Sequence, residues 1–437
     1  MPTAVPRTDS SSPLTRQEVL RWRNALFVVF GLSGLAVATW LGRVPAVRDL
    51  LDARTSEMGL LVAGLSVGSI VGITLSSHLL AGAGTRRVIR GCLVVIMAGL
   101  VAAGLSASLG GGFWAIAVSL AVFGFGNGLL DVSMNVSGAA AERALGRTVL
   151  PLMHAAFSVG TMLGALLSAG AEALSVPVAV HVGVVALAIA AVGLAVAPRL
   201  QPEELGHAGT DATATAGGAT GAADAGHATE RTASWRDRLA VWRSPGTLLL
   251  GLVVLGMATA EGSANDWLAL AMVDGHGFTN EGGATVFFVF VTAMTAARVA
   301  GGPLLDRFGR VPVLRASAVA AGLGLLLVIV SPWPALAIVG VVAWGAGSAL
   351  GFPVGLSAAA DDPRVAAARV SAVATVGYVA FLALPPVIGF LGEHVGLLPA
   401  LTVVLVLIAV AGVASGSARE PRQRDAAATD SGVAAST

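Results

Sequence analysis

Long apolar runs, each close to the length of a membrane-spanning helix, recur along most of the chain. A helix that crosses a bilayer needs about 20 apolar residues. When the runs are divided at charges, glycines and prolines, they predict twelve spans, with a long polar interval after the sixth. The predicted spans are 25–46, 57–81, 88–108, 113–138, 150–172, 177–197, 245–272, 283–305, 311–330, 334–359, 368–391 and 396–416.

The composition agrees with a chain that lies mostly inside a membrane. Hydrophobic residues make up 55% of it and charged residues 12%, and the mean hydropathy is +0.82. Soluble domains carry about 25% charged residues. The single Cys92 excludes an internal disulfide and a cysteine-based metal site, and the chain has no P-loop, zinc-protease or dinucleotide-binding motif. We therefore predict a polytopic membrane protein that is not an enzyme and needs no cofactor or metal; the formal charge of +1 argues against nucleic-acid binding.

The placement of arginine predicts the orientation of the spans. All 26 basic residues are arginines. If both termini are cytoplasmic, 22 of the 26 lie in cytoplasmic segments, Arg43, Arg48 and Arg54 lie outside, and Arg298 lies within the eighth span. Cytoplasmic loops of membrane proteins carry such an excess of positive charge, so we expect cytoplasmic termini.

The interval after the sixth span predicts two halves. Residues 201–233 are rich in Ala, Gly, Thr and Asp and have no apolar period, which is typical of a disordered linker. Residues 234–243 place Trp and Leu on one helical face and Arg on the other, which favours a helix on the inner membrane surface; a short lead-in to the seventh span explains them equally well. The predicted organisation is a cytoplasmic tail 1–24, a six-helix bundle 25–197, a cytoplasmic linker 198–244, a second six-helix bundle 245–416 and a cytoplasmic tail 417–437.

Two local matches between the halves indicate an internal duplication. GPLLDRFGR (302–310) joins the eighth and ninth spans, and SHLLAGAGT (77–85) joins the second and third. Both segments keep Leu-Leu followed by the same glycine. A weaker match relates 124–142 in the fourth span to 345–363 in the tenth. Internal repeats of this kind are common in secondary transporters.

GPLLDRFGR resembles the Gly-x-x-x-Asp-Arg-x-Gly-Arg signature of the major facilitator superfamily. The resemblance implies an all-α fold of twelve transmembrane helices in two pseudo-symmetric six-helix bundles. It also implies a cytoplasmic latch, in which Asp306 caps or pairs across the turn while Arg307 and Arg310 face Asp361 and Asp362. The first-half copy has Ala81 and Gly82 in place of Asp-Arg; the residues that would form a latch there are Arg86, Arg87 and Glu142.

LDVSMN (130–135) resembles the fourth helix of the fucose-permease branch of this superfamily. In that branch the acid of this motif couples transport to protons, which implies this role for Asp131. Asn127, Asp131 and Asn135 are spaced by four residues and fall within an arc of about 80° on one helix face. The alternative is a buried structural acid. EGSANDW (261–267) and MHAAFSVG (153–160) resemble related, little-characterised bacterial transporters, which implies the bacterial cytoplasmic membrane as the location.

A second polar group lies in the seventh and eighth spans. Glu261 is near the middle of its span, with Asn265 one turn away, and Arg298 is near the middle of the next span. Because charges inside a membrane are costly, they generally have a partner or a function. Glu261 is therefore a second candidate for proton coupling, and Arg298 either pairs with Glu261 or binds the substrate.

Three aromatic side chains complete the set of candidate substrate contacts. Trp40, Trp344 and Tyr378 are able to stack on a ligand, although packing or a membrane-interface position explains each of them equally well. The predicted substrate-binding residues are thus Asn127, Asn135, Asn265, Arg298, Trp40, Trp344 and Tyr378.

These features predict a proton-coupled secondary transporter that moves a small, sugar-like solute by alternating access and is a monomer. The expected partners are the solute, protons and the lipid bilayer. One alternative is a proton-driven exporter of drugs or amphipathic metabolites. Another is a membrane sensor or scaffold that does not transport.

Overall fold

The computed structural model describes residues 14–146, 149–201, 241–362 and 365–419. Twelve helices in these ranges are long and apolar enough to cross a membrane, which confirms the predicted fold class. Several predicted segments lie outside the described residues. They are residues 202–233 of the predicted linker, most of the helix 234–243 and most of both tails. The helices, numbered by span, are α1 Arg16–Leu41, α2 Thr55–Ala83, α3 Thr85–Ser108, α4 Gly112–Leu145, α5 Leu150–Ala173, α6 Val178–Val196, α7 Pro245–His276, α8 Asn280–Phe308, α9 Arg310–Val330, α10 Pro334–Ala359, α11 Ala366–Val395 and α12 Leu397–Ala418.

The first helix begins nine residues before the predicted start of its span, so the predicted tail 1–24 is too long. Thr15 accepts a hydrogen bond from the backbone N–H of Glu18, and the Glu18 carboxylate accepts one from the N–H of Thr15. This capping box satisfies two N–H groups that would otherwise have no partner in the first turn. The helix therefore extends out of the apolar run, and a short helix, Val44–Leu51, follows it.

Two spans of the second half are not regular helices. In α7, residues Ala264–Leu268 form a wide π-helical turn between the α-helical segments Pro245–Ser263 and Ala269–His276. In α10, the segments Pro334–Ser348 and Gly351–Ala359 are separated by Ala349 and Leu350. Single π turns inside α-helices often occur at functional sites.

Glycines hold several helix pairs of the first bundle at very short range. A Cβ atom on Gly160 of α5 would collide with the carbonyl oxygen of Gly31 in α1. The contact between α2 and α4 is similar, because a Cβ on Gly68 would collide with the carbonyl of Ala121, and one on Gly124 with that of Leu65. Small residues allow such close backbone approach in membrane helices. We call these two contacts the glycine seams.

The repeated turns of the two halves share a backbone conformation. Gly84 ends α2 and Gly309 ends α8, and both have φ of +76°. Glycine adopts this region without the steric cost that a Cβ imposes. The glycine that the two sequence segments share therefore has the same structural task in each half.

The two bundles meet mainly through α2 against α11 and α5 against α8. We call the membrane side on which α1 begins the terminal face and the opposite side the distal face. Among the described residues, cross-bundle hydrogen bonds join the bundles at the distal face. They connect Arg48 to Asp274, Asn280 to Asp49 (2.8 Å) and the N–H of Ser56 to Glu393 (3.4 Å).

Below these bonds, α2 and α11 are in backbone contact at the distal face. A Cβ on Gly59 would come within 2.9 Å of the Pro385 carbonyl oxygen. Towards the terminal face, His154 of α5 is exposed and Asp131 and Asn135 of α4 are partly exposed. The structure is thus closed at the distal face, while the polar groups deep in the first bundle remain accessible.

Candidate functional site

The Asp131 side chain lies in a chain of hydrogen bonds that joins α4 to α5. The amide nitrogen of Asn135 donates to the main-chain carbonyl of Asp131 at 2.8 Å and approaches its carboxylate at 3.4 Å. The amide oxygen of Asn135 is 3.0 Å from Nε2 of His154, whose ring packs edge-on against Phe30 of α1. Sequence analysis did not include His154 among the site residues.

Asn127, the other amide predicted beside Asp131, turns to a different partner. Its side-chain oxygen accepts a hydrogen bond from Ser33 of α1 at 3.1 Å. A pattern of every fourth residue places side chains on one face, but hydrogen-bonding neighbours decide which of them meet. Asp131 therefore has one amide neighbour rather than two.

Glu261 and Arg298 form the predicted ion pair between α7 and α8. Nη2 of Arg298 is 2.7 Å from Oε1 of Glu261, and both side chains are partly exposed. Nε of Arg298 also donates to the carbonyl of Ala349 at 3.3 Å. Ala349 lies at the interruption of α10, so the broken helix supplies the second acceptor for the guanidinium.

The polar groups of the two bundles face each other across the interface. Arg298 is within electrostatic range of His154, and Tyr378 of α11 is within electrostatic range of Asp131. Asn265 lies in the wide turn of α7 and is partly exposed. We call the set that meets at the interface the central cluster; it consists of Asp131, Asn135, His154, Glu261, Arg298 and Tyr378.

Two of the predicted aromatic contacts lie inside the bundles. Trp40 is 1% exposed and Trp344 is 0% exposed. The Trp344 ring packs edge-on against Phe290, and its N–H donates to the carbonyl of Ala260 at 3.1 Å. In this conformation both tryptophans are packing residues that present no face to a solute, which leaves Tyr378 as the partly exposed aromatic of the three.

The predicted latch of the second half is present in part. Arg310 donates to both carboxylate oxygens of Asp361, at 2.8 and 2.7 Å, and to the Ser357 hydroxyl at 3.1 Å. Arg307, however, stacks over the ring of Phe308 and meets no acid among the residues that the structure describes.

Asp306 is exposed and has neither a hydrogen bond nor an ion pair in the described part of the chain. The predictions for Asp306 and Arg307 are therefore wrong in this conformation, because the turn directs both side chains to the surface. Asp362 makes contacts of its own.

The first half uses its acid differently. The Glu142 carboxylate accepts hydrogen bonds from the backbone N–H groups of Val149 (2.7 Å) and Leu150 (2.9 Å) at the start of α5. In the described residues Glu142 makes no ion pair with Arg86 or Arg87, and one of its carboxylate oxygens caps α5 instead. A carboxylate at a helix N-terminus also interacts favourably with the helix dipole.

The central cluster combines groups that bind a polar solute with groups that exchange protons. Amide, phenol and imidazole side chains donate and accept hydrogen bonds, and a carboxyl group does so in a manner that depends on its proton. The cluster lies where two helix bundles meet, which is the usual location of the binding site in transporters with internal repeats.

Comparison with known proteins agrees with this architecture. A model of the Major Facilitator Superfamily matches residues 267–434. The chain is similar to an uncharacterised transporter, y4wD, of Sinorhizobium fredii, with 29% identity over 89% of this chain and 98% of the relative.

Solved structures share the fold over nearly all of their length. The nucleoside transporter NupG aligns over 92% of this chain and 98% of its own, with 14% identity and a TM-score of 0.69. The fucose:proton symporter FucP of E. coli aligns over 91% and 98%, with 16% identity and a TM-score of 0.60. Together with the twelve spans and the GPLLDRFGR turn, these matches show that the chain is similar to transporters of the major facilitator superfamily and shares their fold.

Proposed function

We propose that the protein is a proton-coupled secondary transporter of a small, hydroxyl-rich solute, which binds at the central cluster. The observation that carries the proposal is that Arg298 and Tyr378 of the second bundle lie within electrostatic range of His154 and Asp131 of the first, respectively. The charges of Glu261 and Arg298 compensate each other there, and Asn135, His154 and Tyr378 add neutral hydrogen-bonding groups, which suits a neutral ligand with several hydroxyls. NupG and FucP, the similar structures, transport nucleosides and fucose according to their names.

The proton is carried by Asp131. Asp131 makes no ion pair in the described residues, whereas Glu261 is bound to Arg298. Protonation of Glu261 would leave the Arg298 guanidinium without its counter-charge, so Glu261 is the poorer proton carrier of the two. The Asn135 amide reaches Asp131 as a donor, and by rotation it offers its oxygen to a protonated acid.

The interface between the bundles is closed at one end and accessible at the other, as alternating access requires. The distal face is closed by Arg48, Asp49, Asp274 and Asn280. If the terminal face is cytoplasmic, as the arginine distribution supports, this is the inward-facing state of a monomer in the bacterial cytoplasmic membrane. Phe308 is 52% exposed at the terminal face. A cysteine at this position should not react with an impermeant thiol reagent added to intact cells. Rapid labelling from outside would show that the terminal face is extracellular.

Uptake into proteoliposomes tests the coupling. Under an imposed pH gradient, the wild-type protein should accumulate a radiolabelled nucleoside or pentose or hexose sugar. Asp131→Asn imitates the protonated acid, so it should retain solute exchange but lose accumulation by at least about tenfold, since each 1.4 kcal/mol of lost coupling is tenfold.

A matched control is Asp52→Asn. Asp52 is an exposed residue at the distal face with φ of 48°, a conformation that asparagine tolerates. This variant should accumulate solute normally. Accumulation by Asp131→Asn with an unchanged pH dependence would remove Asp131 from the mechanism. Solute release driven by the gradient would assign export, and no movement of any tested solute would favour a sensor or scaffold.

A further inference from the structure

A small pocket between α7 and α11 lies outside the central cluster. It encloses about 10 Å³, which is about the room that one water-sized particle requires. The wide turn of α7 and the helical turn before it form one wall, and α11 forms the other. The residues that the argument uses are Thr259, Ser263, Asp266 and Trp267 on α7, and Ala380 and Pro385 on α11.

Three buried polar atoms that line this pocket have no hydrogen-bond partner. They are the hydroxyl oxygens of Thr259 and Ser263 and the indole nitrogen of Trp267. These residues are 2%, 3% and 0% exposed, respectively. Buried polar groups are nearly always hydrogen-bonded, so three unpartnered groups around one pocket mark it as a polar binding site.

Asp266 is the acidic side chain of the pocket. In the described part of the chain it has no ion pair and no hydrogen bond, although an uncompensated charge inside a membrane span is costly. Asp266 is partly exposed, which gives a ligand a path into the pocket. A ligand with one positive charge would balance the carboxylate.

The backbone around the pocket adds further oxygen atoms. Pro385, which lines the pocket, and Pro386 have no N–H, so the turn of α11 before them has carbonyls that receive no helical hydrogen bond. Carbonyls released from helical bonding, hydroxyls and carboxylates are the ligands that hard cations prefer. Interrupted helices in transporters bind sodium ions in this manner.

We propose that this pocket binds one Na⁺ ion through Asp266, Ser263 and Thr259. A single carboxylate matches a monovalent rather than a divalent charge. The Trp267 N–H donates to the carboxylate or to a water that completes the coordination of the ion. The site is separate from Asp131, and the inference does not depend on proton coupling there.

The position of the pocket gives the ion a structural effect. The Trp267 ring lies against Gly389 of α11, where a Cβ would approach it to 3.0 Å, and Gly389 also contacts Gly59 of α2. The ion therefore lies between α7 and α11, the helix that closes the distal face. Its binding should stabilise the second bundle next to that closure.

Thermal unfolding of the purified protein tests the site. The melting temperature should rise saturably when choline chloride is replaced by NaCl at constant ionic strength, because a ligand that binds the folded state stabilises it. Asp266→Asn should abolish the Na⁺-specific rise. Ser263→Ala keeps the Asp266 carboxyl group and should raise the Na⁺ concentration that gives half of the stabilisation several-fold. This variant tests the site if Asp266→Asn does not fold.

Asp52→Asn is the control, since it removes an exposed acid at the distal face and should leave the Na⁺ effect intact. Equal melting temperatures in NaCl and choline chloride would overturn the proposal, as would a full Na⁺ effect in both α7 variants. A rise on acidification that Na⁺ does not reproduce, and that Asp266→Asn removes, would assign a proton to Asp266 and also overturn it. None of these outcomes depends on solute accumulation, which tests Asp131 separately.

Discussion

The acids at the centre of the two bundles differ in their partners. Glu261 in the second bundle is bound to Arg298, whose guanidinium has a further acceptor at Ala349. Asp131 in the first bundle has the Asn135 amide beside it and the Tyr378 phenol within electrostatic range. A paired acid must stay charged to protect its partner, whereas an acid among neutral groups can take up a proton and leave no charge alone. From the sequence alone, the two acids are equal candidates for proton coupling. Their contacts in the structure distinguish them.

The largest expected effect comes from breaking the pair in the second bundle. Glu261→Gln should lower the unfolding free energy by about 1–3 kcal/mol, since loss of one partner from a fully buried pair costs about 3–5 and this pair is partly exposed. Arg298→Gln should cost a similar amount. The double variant should regain most of the loss, because no charge is then left unpaired.

Asp131→Asn is the matched comparison, and we expect its unfolding free energy to change by no more than about 0.5 kcal/mol. The measurement compares the melting temperatures of these four variants with that of the wild-type protein in one detergent. Strictly additive losses for Glu261 and Arg298 would show that the two charges are not coupled, and a large loss for Asp131→Asn would make that acid structural.

A smaller difference is expected between the turns at the terminal face. Asp361→Asn replaces a two-point carboxylate contact with Arg310 and should cost about 1–2 kcal/mol. Glu142→Gln weakens a helix cap and should cost about 1 kcal/mol. Asp306→Asn, at an exposed acid, should be close to neutral. Thermal unfolding compares the three, and a loss at Asp306 as large as that at Asp361 would mean that the signature acid has a partner in another conformation.

The smallest effect is expected at the distal face. Asp274→Asn removes the bond to Arg48, and exposed ion pairs contribute about 0.2–1 kcal/mol. The population open at this face should therefore rise by about 1.5–5-fold. A cysteine at Ala53, which lines the vestibule between the bundles there, would report this as faster labelling by an impermeant reagent. An unchanged rate would show that Arg48 and Asp274 do not hold the face closed.

The number and order of the spans were predictable because hydrophobic length is a local property of the chain. The start of α1 was also encoded locally, since Thr15 and Glu18 have the spacing of a capping box; a search for apolar runs passes over that signal. The pairing of Glu261 with Arg298 was predictable because two opposite charges in adjacent spans seldom stay apart.

Other features depend on tertiary neighbours that the sequence does not identify. Asn127 and Asn135 are equivalent by spacing, but Ser33 lies beside one and His154 beside the other. Glu142 has Arg86 and Arg87 nearby in the predicted topology, yet two backbone N–H groups at the start of α5 occupy it. The wide turn of α7 changes the direction of Asn265 and Asp266 relative to a regular helix, which a projection at 100° per residue does not represent.

The glycine seams restrict how this transporter can evolve. Gly160 and Gly124 contact no solute group in the central cluster, yet any larger residue at either position would force two backbones apart. Under the proposed function, a change of solute preference therefore proceeds through the cavity-lining positions, while the seams stay constant. A library selected for altered substrate preference should accumulate changes around Asn135 and Tyr378 and almost none at Gly68, Gly124 or Gly160.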